Sequence, residues 1–305
     1  MTSFQEPNPD DASRPDTTRP EVRSNEESFF EQDSGTPVRR IPHLGHALAF
    51  ASFTGVLLIL LEFILSAMGW APGTVKNGVT ILTHPKLQIA TLVVTYLTTL
   101  GAASLIFPQL WQRGFLDGIE WRWSAAREQA GRLIALGLAL GMLVQLLARF
   151  IMPPKSLPVD DFLRTQSDAW LITLFGTVVA PIFEEICFRG FLLPAFAIAY
   201  DWISLPRTEE ARERWRSTTT LTPAAWIFSA LLTSVFFALM HLQQVAHLWA
   251  VLLVLFSVSL VLTTVRVKTR SVAASVLVHG AYNGFVFLVM MIATGGYRHL
   301  ERMAQ

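Results

Sequence analysis

Charge is what this chain has least of. Of its 305 residues 15% are Asp, Glu, Lys or Arg and 52% are hydrophobic, where a soluble domain carries about 25% charged residues. That balance excludes an ordinary water-soluble globule, and a mean hydropathy of +0.43 places the chain among membrane proteins. Cysteine is nearly absent. The single Cys187 excludes an internal disulfide and any site built from several thiolates. No cleavable leader is visible, because the first forty residues are polar and the first apolar run comes after them. The last residues, Arg302-Met303-Ala304-Gln305, offer no cysteine for lipidation, so the protein is not expected to be prenylated itself. The net charge of +1 says little. Where the charges sit says more.

Residues 1–40 are rich in Pro, Asp, Glu, Ser, Thr and Arg and read as a disordered polar tail. Seven apolar runs follow, at 44–69, 87–107, 133–152, 170–200, 224–242, 245–265 and 272–294. A bilayer crossing takes about 20 residues, so the expected fold class is all-α, a polytopic transmembrane bundle around a polar intramembrane cavity. The stretch 160–200 has room for an interfacial helix plus a crossing, which leaves the count at about seven or eight. With the N-terminus inside, inner flanks carry Arg39, Arg40, Arg113, Arg122, Arg127, Arg132, four arginines of the 207–216 loop, Arg266, Lys268 and Arg270. Outer flanks carry only Lys76, Lys86, Lys155, Arg164, Arg298 and Arg302. The bias predicts a cytoplasmic N-terminus. The loop itself, Arg207 to Arg216, reads as a short charged helix lying on the inner surface.

Against this apolar background, Ala180-Pro181-Ile182-Phe183-Glu184-Glu185-Ile186-Cys187-Phe188-Arg189 is the costly stretch. A charged group at the centre of a bilayer costs on the order of 3 kcal/mol even on the mild insertion scale. Glu185 and Arg189 are four apart, share a helical face and can neutralise each other. Glu184 points about 100° away and has no local partner. Pro181 cannot donate to the helix ladder and frees the carbonyl of Thr177, so a kink is expected that admits water.

Two further pairs stand out. Phe237 and His241 lie one helical turn apart near the end of the fifth run, and His279 and Asn283 share a face of the seventh. Interhelical hydrogen bonding alone accounts for such residues one at a time. Together with Glu184 they are a base, two imidazoles and an amide, the parts for activating a water and stabilising an oxyanion. Depth is the obstacle. His241 falls near the outer end of its run, His279 about 12 Å in from the inner side at 1.5 Å per residue, and Glu184 near the middle, so the helices must be kinked, tilted or shifted for these groups to meet. Glu62, Gln145 and Arg149 lie near outer ends, where snorkelling suffices. Cys187 reads as a small packing residue, since an apolar site gives a thiolate no support. A zinc site from Glu184, His241 and His279 is a weak signal without a His-Glu-x-x-His pair; no metal and no cofactor is expected.

At these residues the chain resembles the CPBP family of intramembrane glutamic endopeptidases, which includes the CAAX prenyl endopeptidases. The family's Glu-Glu-x-x-x-Arg, Phe-x-x-x-His and His-x-x-x-Asn motifs appear in order as Glu184-Glu185…Arg189, Phe237…His241 and His279…Asn283. Lys268-Thr269-Arg270-Ser271-Val272 resembles a family turn in which Arg270 replaces the usual glycine. The resemblance covers about residues 168–290 and implies N-terminal helices over 41–167 and a catalytic core over 168–295. It implies a membrane peptidase in which Glu184 is general base on a water, assisted by His241, with His279 and Asn283 on the oxyanion side. Glu185, Arg189 and Phe237 would support the site. The implied partners are the bilayer and a peptide or protein substrate reached from it, with prenylated or hydrophobic C-termini among the candidates; no nucleic acid is expected. Compact loops and the absence of organelle signals point to a prokaryotic plasma membrane. The competing readings are a proton-coupled transporter using the same ionisable groups and a non-proteolytic membrane scaffold.

Overall fold

Among the described residues of the computed structural model, seven helices are long and apolar enough to cross a membrane. The structure describes residues 39–70, 73–76, 79–151 and 158–304. The polar tail expected over 1–40 therefore lies, up to residue 38, outside the described residues. The first crossing is α1, Leu44–Ala67, followed by a short antiparallel hairpin of β1, Gly73–Lys76, and β2, Val79–Leu82. The chain returns through α2, Pro85–Trp111, turns through α3, Phe115–Gly118, and α4, Trp123–Glu128, and crosses again as α5, Ala130–Ala148. The fourth crossing is one helix over Gln166–Ile203. It consists of α6, Gln166–Leu174, α7, Ala180–Glu185, and α8, Leu193–Ile203, joined by two wider turns. The long 160–200 stretch is thus a single crossing preceded by a 3₁₀ turn over Pro158–Leu163. After α9, Glu209–Ser217, come α10, Pro223–Met240, α11, Trp249–Thr269, and α12, Val272–Ala293.

The outward faces are apolar. Val56, Ile59 and Phe63 of α1 and Leu105 of α2 are mostly exposed, as side chains that face lipid must be. Inward, Phe50, Phe107, Trp111, Phe183 and Phe191 form an aromatic core, with Tyr96 stacked on Phe183 at 3.7 Å between ring centroids. Cys187 packs against this core.

α12 is held between α5 and the fourth crossing along two glycine seams. A methyl at Gly137 would lie 2.5 Å from the carbonyl oxygen of Val278, and one at Gly141 would meet Phe285 at 2.9 Å. On the opposite seam a methyl at Gly280 would lie 3.0 Å from the Thr177 carbonyl. Lipid gives helices no hydrophobic reason to associate, so close backbone approach at small residues supplies the packing. α12 also begins deep inside the bundle: Ser271, Val272 and Ala274 are fully buried, and Val272 N–H donates to Glu120 O in the α3–α4 turn. Arg270, at the turn before it, has φ +50°, a left-handed conformation that a glycine would adopt without strain.

α9 is the charged surface helix expected from the loop. It is fastened rather than free. Arg214 pairs with buried Asp201 at 3.1 Å, Arg40 lies over the Trp215 ring at 3.7 Å, and Trp215 leans on Trp202.

Candidate active site

Both glutamates of the costly stretch close α7, between the two wide turns. Over Phe175–Val179 and Ile186–Leu192 the helix widens to the π form. Proline accounts for both places. Ala180 N–H donates to Phe175 O, five residues back, and the next residue, Pro181, has no N–H to give. Gly176 O is left without a helical donor and takes one from another helix: Asn283 Nδ2 donates to it at 2.7 Å. Downstream the pattern repeats, with Leu193 N–H on Phe188 O and Pro194 next. The kink expected at Pro181 takes this form, a turn of extra width that rotates the following residues rather than a sharp bend.

Glu185 and Arg189 form the pair their spacing predicts. Arg189 Nη1 donates to Glu185 Oε1 at 2.9 Å, and both side chains are fully buried. Arg189 Nη2 donates to Ser259 of α11, at 3.0 Å to its carbonyl and 2.7 Å to Oγ. Ser259 carried no signal in the sequence, standing among Leu and Val with nothing to single it out. The guanidinium also lies over the Phe237 ring at 4.9 Å.

His279 joins the two glutamates. Its Nδ1 lies 2.8 Å from Glu185 Oε1; a carboxylate paired with arginine accepts there, so Nδ1 carries the proton. On the other side, Nε2 faces Glu184 Oε2 at 3.9 Å. That distance is too long for a direct hydrogen bond. Glu184 retains 12% of its side-chain surface, whereas Glu185 retains none. Glu184 is therefore the more open of the two carboxylates.

His241 caps the C-terminal end of α10. Its Nδ1 lies 2.9 Å from Phe237 O; a carbonyl only accepts, so Nδ1 holds the proton and the neutral ring presents a lone pair at Nε2. Phe237 stands between the imidazoles, with ring centroids 4.9 Å from His241 and 5.9 Å from His279. Among the described residues no direct hydrogen bond joins His241 or Asn283 to Glu184. The depth obstacle is met for His279 and the two glutamates, since His279 lies against Glu185 and also beside Phe237, in the last turn of α10 one turn before His241. Among the described residues no three His, Cys, Asp or Glu side chains converge as a metal-binding set.

Fold and site together define the class: a polytopic helical membrane protein with a buried Glu–His–Glu–Arg chain on a kinked central helix. Residues 166–285 match the Rce1-like family, type II CAAX prenyl endopeptidase Rce1-like. The matched stretch holds all three motifs. No curated protein and no solved structure matches it.

Proposed function

We propose that the protein is an intramembrane endopeptidase in which Glu184 activates a water for attack on a peptide bond. One observation carries this reading: Glu184, the more open carboxylate of the buried pair, faces His279 Nε2 at 3.9 Å while Glu185 and Arg189 hold the other side of that ring. Glu184 takes a proton from that water while the oxygen attacks the carbonyl carbon, and returns it to the amine as the C–N bond breaks. Asn283 has two N–H donors. One is held by Gly176 O, which leaves the other for the developing oxyanion. His279 steadies the water or, protonated, helps the oxyanion; Glu185 holds its ring in one tautomer and Arg189 holds Glu185. His241, with its Nε2 lone pair outward, is the group that orients the water from the side of the Phe237 ring.

The family match makes a C-terminal Cys-a-a-X peptide of a prenylated protein the first substrate to offer, with other membrane-associated peptides beside it. The same reading places the N-terminus on the cytoplasmic side, following the arginine bias. The test compares wild type with Glu184→Gln in nanodiscs, with and without chelator. Removing a general base costs about 10²–10⁴-fold in rate, so cleavage should fall by that amount in the variant and be indifferent to chelator. A well-folded wild type that cleaves neither substrate set, yet moves protons in proteoliposomes, would replace this reading with the transporter.

A further inference from the structure

At the end of the bundle where α1 begins lies a cavity of about 510 Å³ that the catalytic cluster does not use. It is lined by Arg39, Arg40, Arg113, Arg122, Arg266 and Arg270, and, among the described residues, by only two carboxylates, Asp117 and Glu120. Glu120 is already shared among three guanidinium groups: Arg266 at 2.8 Å, Arg270 at 3.2 Å and Arg122 at 3.6 Å. One carboxylate cannot neutralise three arginines, and the excess faces the cavity. Two further observations mark this as more than a basic surface. Arg266 is 4% exposed, and its buried Nε has no hydrogen-bond partner among the described residues. Arg270 holds its guanidinium there from a left-handed backbone conformation, strain that a glycine would not carry. The walls are partly apolar, with Pro194, Ile198 and Trp226 from crossing helices, and exposed Trp202 and Ile203 end α8 beside it.

We propose that this cavity binds the phosphate of an anionic phospholipid head group, with the acyl chains running down the apolar outer face. The arginines supply bidentate donors for phosphate oxygens. The helix ends that converge here make the lipid a brace between the α11–α12 turn and the N-terminal segment. Nothing in this binding requires cleavage, so it stands whether or not the peptidase reading does.

The test uses the full chain in a nonionic detergent. Native mass spectrometry and thermal unfolding follow added phosphatidylglycerol, phosphatidylcholine and inorganic phosphate. The wild type should retain phosphatidylglycerol in preference to phosphatidylcholine and unfold at a higher temperature with it. Each arginine near an anionic surface contributes about 1 kcal/mol, so Arg113→Gln with Arg270→Gly should weaken phosphatidylglycerol binding roughly 30-fold. Glycine suits the backbone at 270, which keeps the variant folded. Arg207→Gln with Arg212→Gln removes the same charge from the neighbouring loop and should leave the affinity unchanged. Equal loss in both double variants would overturn the cavity as the site. Inorganic phosphate binding as tightly as the lipid would overturn the lipid assignment in favour of a free phosphate ligand.

Discussion

Arg189 shows what a single buried charge demands. Fully buried, it is held by Glu185 on its own helix, by Ser259 on α11 and by the face of Phe237 on α10. Breaking a buried pair by removing one partner costs about 3–5 kcal/mol, because the other charge is left uncompensated. Arg189→Met should therefore lower stability by that amount and take cleavage with it, as Glu185 loses the group that orients it toward His279. Ser259→Ala removes one neutral acceptor from a charged donor and should cost about 1.5–3 kcal/mol. Chemical unfolding in detergent, run beside the cleavage assay, checks both. If Ser259→Ala unfolds like wild type, the hydroxyl is not holding the guanidinium.

Among the elements, the fourth crossing and α12 depend on each other through one carbonyl. Pro181 takes away the donor that Gly176 O would have used, and Asn283 replaces it. The two residues should thus be coupled. Asn283→Ala alone leaves a buried carbonyl unsatisfied, a cost of about 1–3 kcal/mol. In a Pro181→Ala background the new N–H can serve Gly176 O, so Asn283→Ala should cost markedly less. A double-mutant cycle in unfolding free energy checks this, and additive costs would separate the two residues. The glycine seam gives a sharper prediction. A methyl at Gly137 would sit 2.5 Å from the Val278 carbonyl, so Gly137→Ala must push α5 and α12 apart and should cost about 1–3 kcal/mol as overpacking. Gly131 has nothing near its missing side chain. Gly131→Ala is the matched control and should be neutral or slightly stabilising.

For the whole molecule, the end where α1 begins is held by a knot of charge. Burial pushes the Glu120 carboxyl up, but the neighbouring Arg266, Arg270 and Arg122 outweigh it and hold it below the usual carboxylate range. A carboxylate with a lowered value contributes stability above its ordinary pKa, about 4.3. That contribution is lost as pH falls through the lowered value. The protein should therefore lose stability on acidification below about pH 4, and Glu120→Gln should flatten that part of the profile. The knot also ties the α3–α4 turn to the start of α12, through Val272 N–H on Glu120 O. The acid loss should thus appear first at this end in hydrogen exchange.

Much of the protein could be read from the chain alone. Long apolar runs force helices, because a backbone in lipid must satisfy its own hydrogen bonds, so a bundle of seven or eight crossings followed from composition and length, and the structure made the 160–200 stretch a single one. The Glu185–Arg189 pair followed from four-residue spacing, and the isolation of Glu184 from the same geometry. The kink followed from the chemistry of Pro181. What spacing could not supply was the relation between helices. That His279 binds Glu185 and faces Glu184 depends on how deep α12 is set, which its turn with Glu120 and its glycine seams decide. Ser259 and the arginine-lined cavity are likewise products of packing, since they join residues far apart in the chain. Local pattern is fixed by the periodicity of one helix, whereas contact across helices depends on rotation and depth, and only the assembled bundle determines those.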